Sequence, residues 1–489
     1  MVRNPRTHAS TAFLAVALLV AGCDRAPGGG RSDAVVIRNV TVLPMTAGGG
    51  ALTDATVVVE GGLIRSIRSA PTVGDAAPGP AAANRDVPPH ADIIDGTGRY
   101  LIPGLFEMHA HTSKTRASAL GLYVVHGITT IRDMGGDHRE LLGWRSEIRE
   151  GERLGPRMRI AGPYLESVAN VERMRTTPPE EMIEPVERTR IPVGTPADAD
   201  RVVDSLARLE LDFIKIRTVT DRATYLALGA ATGRHGLPLV GHVFGIPPET
   251  ILEAGQDGIE HFLFPTLDSL SRERRMDLWR GFARAGVRIV PTLVTFTESA
   301  FPGRARLEGL AADSMGELDP RRPWISRYLE LDWREQALEA DESRLELFRV
   351  LWSSHLRNLR EMHDAGIDVL AGSDVAVIGI YPGWTLHDEL ALFVDSLGMT
   401  PVEALVRATR KPAEFMGLAD SVGTVEEGKV ADLVLLDADP RVDIRNTRRV
   451  AAVILRGTPY REEDLDRIRQ QVLLAPDQRE NDWPRGPRP

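Results

Sequence analysis

The 489-residue chain contains a single cysteine, Cys23, so an intrachain disulfide is excluded. It has no run of lysine and arginine interleaved with aromatic residues, and its net charge of −10 argues against a nucleic-acid partner. Beyond the first 23 residues no stretch of ~18 consecutive apolar residues occurs, so no later segment is expected to span a membrane. With 43% hydrophobic and 26% charged residues, the composition is that of an ordinary globular protein.

The first residues have the pattern of a targeting segment. Arg3 and Arg6 provide a positive start, and residues 11–21 form an apolar stretch too short to cross a bilayer as a helix. Residues 20–23 (VAGC) then resemble a bacterial lipobox, in which a signal peptidase cuts before the cysteine and lipid is attached to it. An ordinary secretory signal with an incidental cysteine is the alternative.

We therefore predict a lipoprotein-type signal peptide over residues 1–22 and a flexible, glycine-rich tether over residues 23–33. Either kind of signal predicts an exported protein, on the periplasmic or cell-surface side. Acyl chains on Cys23 would hold it at a membrane surface. The sequence leaves open which membrane this is and whether the protein forms a homo-oligomer.

Short runs rich in β-branched residues occur toward both ends of the chain, as in residues 54–60 and 450–457. Such runs are typical of strands. We predict that residues 34–100 and 421–465 pair into one small β-sandwich domain and that residues 466–489 form a tail.

Between these segments, over residues 101–420, strand patterns alternate with helix patterns. This alternation predicts an α/β fold with a parallel sheet or barrel. Eight candidate strands with helical stretches between most of them fit a (β/α)8 TIM barrel. The candidate strands span 104–110, 127–132, 157–161, 212–217, 238–243, 258–262, 287–294 and 367–373.

Residues 297–344 are predicted to be the least regular part of the barrel region, and they are longer than a usual strand-to-helix connection. They follow the seventh candidate strand, and the loops after the strands form the active-site face of such barrels. This insertion is therefore interpreted either as a lid over the site or as a plain surface excursion.

Residues suited to metal binding stand at the ends of several candidate strands. His109 and His111 are two positions apart, so on a strand both imidazoles project from one face and can reach one ion. His242, His261 and Asp374 each follow an apolar run, where the end of a strand is expected. A histidine satisfied within the core would explain any one of them, but it does not explain the repetition.

Lys215 is unusual because it lies inside the apolar segment 212–217. Burial of an ammonium group is costly unless the charge is compensated. A nearby carboxylate is the ordinary explanation for such a lysine.

The ordered set His-x-His, Lys, His, His and Asp resembles the amidohydrolase superfamily, in the branch of imidazolonepropionase-like and prolidase-like enzymes. The resemblance covers nearly everything after residue 34. It includes residues 94–105 (IDGTGRYLIPGL), 127–133 (GITTIRD) and 423–433 (GTVEEGKVADL).

The resemblance implies two divalent metal ions, and the mixed nitrogen and oxygen ligands suit Zn²⁺. It assigns His109, His111 and Asp374 to the first ion. It assigns His242 and His261 to the second.

For Lys215 the resemblance implies a carbamate, formed with CO2, that bridges the two ions and replaces the buried cation with an anionic ligand. A hydroxide between the ions would attack a carbonyl carbon, since metal-bound water has a lowered pKa. Asp374 would accept the hydroxide proton and return it to the leaving nitrogen.

The leading hypothesis for the reaction is hydrolysis of a C–N bond in an amide, a dipeptide or a cyclic amide. Arg217 lies two residues beyond Lys215 and on the same face, so it could bind a substrate carboxylate, with a surface salt bridge as the alternative. His138, Tyr164 and His126 could line the pocket, and each has a structural role as its alternative.

Two other functions are compatible with the sequence. A two-metal site of this kind can also hydrolyse esters, lactones or phosphotriesters, and a lipoprotein could bind a ligand without turnover. The Gly-Gly-His segment that many relatives carry after the third strand is replaced here by residues 165–171 (LESVANV), which weakens the transfer of any relative's substrate.

Overall fold

The computed structural model describes residues 34–69, 88–176, 186–261, 267 and 269–475. Cys23, the signal peptide and the tether lie outside the described residues, as do residues 476–489 of the predicted tail. Within the part of the chain that is described, no helix is both long and apolar enough to cross a membrane.

Segments from both ends of the described chain form one mixed sheet. The strands of this small sheet are β1 (Ala34–Val42), β2 (Leu52–Glu60), β3 (Leu63–Arg68), β4 (Asp92–Asp95), β5 (Tyr100–Pro103), β16 (Leu433–Leu436), β17 (Val450–Leu455) and β18 (Thr458–Arg461). The N-terminal β5 pairs antiparallel with the C-terminal β16, and β1 pairs antiparallel with β2 and parallel with β4 and β5.

The predicted two-sheet sandwich is corrected by these pairings. Hydrogen bonds join the described strands into a single eight-stranded sheet, because β1 is long enough to pair with β4 at its start and with β5 at its end. Buried side chains from β1, β2, β5, β16 and β17 share one apolar core. Strand β5 extends this sheet to Pro103, three residues past the predicted boundary at residue 100.

The middle of the chain contains two parallel sheets. Their strands are β6 (Leu105–Ala110), β7 (Ile128–Asp133), β8 (Arg157–Ile160), β9 (Tyr164–Glu166), β10 (Arg190–Pro192), β11 (Ile214–Ile216), β12 (Leu239–Gly241), β13 (Gly258–Glu260), β14 (Arg288–Val290) and β15 (Asp368–Val369). One sheet has the order β6-β7-β8 and the other the order β10-β9-β11-β12-β13-β14-β15.

Each of the eight candidate strand segments contains or overlaps one of these strands. The sequence missed β9 and β10, which are three residues each and too short to leave a periodic pattern.

Backbone hydrogen bonds also join the two parallel sheets to each other. At one edge the Met108 amide donates to the Ala371 carbonyl at 3.0 Å. At the other edge the Asp212 amide donates to the Ile160 carbonyl at 3.0 Å. The three strands β6–β8 therefore lie between β11 and the end of β15.

Helices follow most of the parallel strands. They are α1 (Thr112–Thr115), α2 (Leu120–Val125), α3 (His138–Glu150), α4 (Val168–Arg175), α5 (Val186–Thr189), α6 (Pro196–Leu206), α7 (Arg222–His235), α8 (Pro248–Ala254), α9 (Arg272–Ala285), α10 (Leu293–Thr295), α11 (Arg304–Ala312), α12 (Arg327–Leu338), α13 (Glu342–Asp364), α14 (Trp384–Asp395), α15 (Pro401–Arg407), α16 (Arg410–Phe415) and α17 (Glu462–Leu474).

Ordinary capping signals place many of these helices. Thr195 and Asp198 form a capping box at the start of α6, and Gly236 ends α7 in the left-handed conformation that glycine adopts readily. The long helix α13 buries Leu356, Leu359 and Met362 against the main core, as their helical spacing predicts.

The prediction that residues 297–344 are the least regular part of the barrel region is wrong. Half of this segment lies in α11, α12 and the start of α13, and its apolar side chains share a buried core with Ala376, Ile378 and Tyr381. The first residues of the predicted tail belong to α17, which buries Leu465, Ile468 and Val472. In both segments the apolar positions at helical spacing lie among many charged residues.

Candidate metal centre

Ligand-type side chains converge where the parallel strands end. The Nε2 atoms of His109 and His111 each lie 3.4 Å from Oδ1 of Asp374, and Nε2 of His261 lies 3.6 Å from Oδ2 of the same carboxylate. The ligand atoms of His109, His111 and Asp374 all lie within 4.8 Å of one another, which is close enough for one ion to contact all three.

Lys215 and His242 complete this group, which we call the six-residue cluster. Nζ of Lys215 lies 3.4 Å from Nε2 of His109, and the His242 ring centroid lies 5.1 Å from that of His261. All the ligands predicted from the sequence are therefore brought together, from the ends of β6, β11, β12, β13 and β15.

His109 is held by a buried ion pair behind it. Its Nδ1 lies 2.8 Å from Oε2 of Glu260, and the other carboxylate oxygen of Glu260 accepts from Arg132 at 2.6 Å. Arg132 also donates to the Met108 carbonyl at 2.8 Å. Because a carboxylate accepts, the Nδ1 atom of His109 carries the proton and its Nε2 lone pair faces Asp374.

The same arrangement orients two more histidines. The Tyr164 hydroxyl donates to the Gly135 carbonyl at 3.1 Å and lies 2.9 Å from Nδ1 of His111, so its oxygen can accept from that nitrogen. Nδ1 of His261 lies 2.7 Å from the Thr292 hydroxyl. Each ring is therefore held through Nδ1 and turns Nε2 toward the cluster, as ligating histidines do.

The pKa values of His109, His242 and His261 favour neutral imidazoles. Burial and the nearby Lys215 ammonium hold the pKa of His109 well below its usual range, and the same two causes lower the pKa of His242. Burial lowers the pKa of His261 to about 4. Neutral imidazole is the form that binds a metal ion.

Lys215 and Asp374 respond differently to burial. Burial lowers the pKa of Lys215 to about 8, although Asp374 and Glu260 partly stabilise the ammonium form. Burial opposes ionisation of Asp374, but His261, His111 and Lys215 together hold its pKa well below the usual range. The cluster thus contains an ionised carboxylate and an amine that loses its proton easily.

The backbone is strained at three positions of this site. Asp374, His261 and Thr292 have φ values of 57°, 51° and 47°, in the left-handed region that non-glycine residues rarely adopt. Such conformations persist where surrounding contacts hold them, and they are frequent at functional sites.

A buried carboxylate joins the first and last strands of the site. Glu107 accepts from the His109 amide at 2.9 Å, from the Ser373 amide at 2.8 Å and from the Ser373 hydroxyl at 2.6 Å. Burial raises the pKa of Glu107 to about 7. This carboxyl group fixes the strand of His109 relative to the residue before Asp374.

The residues predicted to bind substrate occupy different places. Tyr164 lies at the cluster beside His111, whereas Arg217 donates to the buried carboxylate of Glu166 at 2.8 Å. Arg190 lies 3.5 Å from the same carboxylate, and its guanidinium stacks on the Tyr164 ring at 4.6 Å. The salt-bridge alternative therefore applies to Arg217, with a partner that is buried rather than on the surface.

His126 and His138 do not belong to the six-residue cluster. His126 lies against Trp384 and His387 of α14, with ring centroids 4.2 Å and 6.0 Å away. His138 is the first residue of α3 and is half-buried near Gly162. The packing role applies to His126.

Sequence reasoning missed the residues that support the ligands, namely Glu107, Arg132, Glu260 and Thr292. A usable signal existed for two of them. Glu260 directly precedes His261 in an apolar strand, and Glu107 precedes His109 by two positions and so shares its face. Their partners lie more than 100 residues away, so the pairing itself requires the fold.

The parallel strands and the histidine–aspartate cluster define a metal-dependent hydrolase that acts on small molecules. The sequence profile described as the Amidohydrolase family matches residues 100–459, so the chain belongs to that family. It is accordingly a hydrolase that acts on carbon–nitrogen bonds.

Individual relatives extend this similarity. An imidazolonepropionase of Thermoplasma volcanium is 37% identical over 81 residues, or 17% of this chain and 20% of that enzyme. An imidazolonepropionase of Pseudomonas syringae pv. tomato is 24% identical over 406 residues, or 80% of this chain and 89% of that enzyme. A solved Xaa-Pro dipeptidase with bound methionine in the active site is 19% identical, with a TM-score of 0.63 over 88% of this chain and 100% of that chain.

Proposed function

We propose that the protein hydrolyses an amide, dipeptide or cyclic amide bond with two divalent metal ions, Zn²⁺ being the expected metal. The observation that carries the proposal is the six-residue cluster, in which three histidine Nε2 atoms lie within 3.6 Å of the Asp374 carboxylate. His109, His111 and Asp374 would hold one ion, and His242 and His261 the other.

The donor set fits such ions. The Nδ1 atoms of His109, His111 and His261 have hydrogen-bond partners in Glu260, Tyr164 and Thr292, so their Nε2 atoms are available as ligands. Nitrogen and carboxylate ligands in one buried group suit Zn²⁺.

Lys215 would act as a carbamate that bridges the ions. Its Nζ lies among the imidazoles, 3.4 Å from His109, in a position that is 1% exposed. An ammonium group there would repel metal ions, whereas a carbamate supplies anionic oxygen ligands.

When bound, the two ions supply an activated water of lowered pKa and polarise the substrate carbonyl. Asp374 would take a proton from the attacking water and return it to the leaving nitrogen. Tyr164 and Glu260 hold the imidazoles of His111 and His109. The ionised state of Asp374, which its histidine neighbours favour, suits the role of base.

The two parallel sheets would form one closed (β/α)8 barrel. The hydrogen bonds from Met108 to Ala371 and from Asp212 to Ile160 support this, since they link the sheets at both edges. The ligands would then lie at the C-terminal mouth, where barrel enzymes carry their active sites.

The relatives support this choice of substrate class. They include an enzyme named imidazolonepropionase and a solved Xaa-Pro dipeptidase, and we therefore place the substrate among amides of small molecules. Arg217 and Arg190 are both engaged by Glu166, so a substrate carboxylate would have to compete with that buried carboxylate.

Export and lipid attachment at Cys23 are part of the same proposal. They rest on the sequence pattern of residues 1–23. Incorporation of radiolabelled palmitate into wild-type protein, and its loss in Cys23→Ser, would test them.

Metal content and a substrate panel test the enzymatic proposal. Purified protein should contain close to two divalent ions per chain, and with Zn²⁺ it should hydrolyse members of a panel of dipeptides, N-acyl amino acids and cyclic amides. Lactones and organophosphates belong in the same panel. A metal-free protein, or turnover of lactones or organophosphates alone, would contradict the proposal.

Asp374→Asn tests the proton transfer directly. Turnover should fall by about 10²–10⁴-fold, because the amide cannot act as a general base. Asp420→Asn, at an exposed position, is the matched control and should leave turnover unchanged. Turnover of Asp374→Asn equal to that control would remove the role assigned to Asp374.

A further inference from the structure

Helix α12, within the insertion at residues 297–344, contacts the segment that follows His111. The Ser326 hydroxyl at the start of α12 donates to the Lys114 carbonyl at 3.2 Å. Six residues further along α12, the Asp332 carboxylate accepts from Lys114 Nζ at 3.0 Å. Lys114 belongs to α1, three residues after His111, so α12 is attached to this ligand's segment at two points.

The same helix reaches the loop that carries Asp374. Gln336 Nε2 donates to the Ala376 carbonyl at 2.9 Å, and Gln336 Oε1 accepts from the Ile378 amide at 2.9 Å. Nε2 of Gln336 also donates to Asp332 at 2.8 Å. A single half-buried amide group therefore links the Asp374 loop to the residue that pairs with Lys114.

The loop needs such support because its backbone is in an unfavourable conformation. Asp374 has a φ of 57° and Ala376 a φ of 141°, and both values are disfavoured for residues with a Cβ. Gln336 binds the backbone on both sides of Val377, next to the second of these positions. Without those bonds the loop would have fewer contacts to hold it in this shape.

Movement of this loop would displace three predicted ligands. The Val375 amide donates to the His109 carbonyl at 3.3 Å, and the His111 amide donates to the Val375 carbonyl at 3.2 Å. The loop is thus paired with the backbone of both histidines as well as carrying Asp374.

Apolar packing reinforces the attachment. Trp333 of α12 is fully buried, and its ring lies edge-on to Tyr381 with centroids 5.2 Å apart. Ala376 and Ile378 belong to the same buried group as Leu329 and Trp333. The insertion is therefore packed onto the loop as well as hydrogen-bonded to it.

We infer that Gln336 is a positioning residue for the metal centre, acting through the Asp374 loop, and that the insertion holds the site in shape. This inference rests on the proposed function for its metal, but the contact between Gln336 and the loop does not. Gln336 touches no substrate and no reacting atom in this role.

Hydrogen exchange in metal-free protein tests the contact by itself. In Gln336→Ala the amides of residues 375–379 should exchange at least about tenfold faster than in wild type, since the Ile378 amide loses its acceptor. Gln336→Met keeps the size but removes both the donor and the acceptor, so a similar acceleration in this variant would assign the effect to the lost hydrogen bonds and not to a cavity. Glu330→Gln is the matched control, because Glu330 pairs with Arg327 and Arg334 within α12.

Competition between the protein and a chelator for Zn²⁺ tests the consequence. Gln336→Ala should bind Zn²⁺ about tenfold more weakly than wild type. This is the lower end of the loss of metal affinity that follows when a group supporting a metal ligand is removed. Glu330→Gln should match wild type in both measurements. Equal exchange and equal Zn²⁺ affinity in Gln336→Ala and Glu330→Gln would overturn the inference, whereas a wild-type protein that binds no Zn²⁺ would overturn the proposed function.

Discussion

Single residues behind the cluster determine which nitrogen of each histidine is free. Glu260 is fully buried and bonds both to His109 and to Arg132, so its charge orients the imidazole and compensates the guanidinium. Removal of Arg132 would take the charged partner from the buried Glu260 carboxylate, which is expensive. These supporting groups are as necessary to the geometry as the predicted ligands.

Glu260→Gln should weaken metal binding by about 10–100-fold, because the amide no longer compensates Arg132 and is a poorer acceptor for His109. Chelator competition would measure this affinity. Glu253→Gln, on the exposed face of α8, is the control and should bind metal as wild type does. An unchanged affinity in Glu260→Gln would mean that Glu260 does not orient the ligand.

Glu389 makes stability depend on pH. Its carboxylate accepts from the Leu293 and Val294 amides at 3.0 Å and 2.8 Å, and burial raises its pKa to about 8. Because the folded state holds this proton more tightly than the unfolded chain, the stabilisation is complete below about pH 4.5 and is lost as pH rises toward 8. The side chain of Glu389→Gln cannot ionise. The free energy of unfolding of this variant should therefore not show the decrease that ionisation of Glu389 causes between about pH 4.5 and pH 8.

Urea unfolding of metal-free protein at several pH values between 5 and 9 would measure the difference between wild type and Glu389→Gln. The difference should change across that interval and level off above about pH 8. A difference that is constant with pH would exclude ionisation of Glu389 as its cause.

At this scale the sequence predicts the ligands better than their supports. His242, His261 and Asp374 could be singled out because each follows an apolar run, and His109 and His111 because they are two positions apart. Lys215 could be singled out because it interrupts an apolar run. Arg132 and Thr292 could not, since their role depends on partners brought near only by the folded strands. For Arg217 the sequence left a substrate contact and a surface salt bridge open, and its partner could not be named because Glu166 lies on the unpredicted strand β9.

At the scale of elements, periodicity predicts what is long and amphipathic. Eight of the ten parallel strands and the stripe of α13 could be identified from their sequence patterns, because burial imposes them. Helices α12 and α17 were missed because charged residues outnumber the few apolar positions that define their buried faces, and in α11 the two are equal in number. The sequence predicted that two distant segments pair in the mixed sheet. It could not predict that all their strands join one sheet, because this depends on the length of β1, which pairs with both β4 and β5.

The stripe of α13 allows a stability prediction. Leu359 is fully buried in the main core, so Leu359→Ala should lower the free energy of unfolding by about 2–5 kcal/mol. Leu347 on the same helix is 52% exposed, and Leu347→Ala should change it by less than about 0.5 kcal/mol. Denaturant unfolding of both variants would check the contrast, and equal losses would contradict the assigned face.

For the whole molecule, metal binding and folding should be coupled. The candidate ligands come from five strands spread between His109 and Asp374, so an unfolded chain cannot bring them together. A metal that binds only the folded state adds about 2.7 kcal/mol of stability at 100 times its Kd. Calorimetry of metal-free protein should therefore give a lower Tm than protein with Zn²⁺, and the Tm should rise with metal concentration.

Lys215→Ala separates this effect from nonspecific binding of Zn²⁺. The variant should lose the rise in Tm on addition of Zn²⁺, because the bridging ligand is gone, while Lys411→Ala outside the cluster should keep it. A full rise in Lys215→Ala would point to a site that does not require the lysine.

The mixed sheet also determines when its strands can pair during synthesis of the chain. Strand β5 must wait for β16, about 330 residues later, and β1 borders β5. During synthesis β5 therefore leaves the ribosome with one edge unpaired until β16 has followed. Exposed strand edges of that kind invite wrong partners, so a nascent chain of this protein depends on being shielded until its last strands arrive.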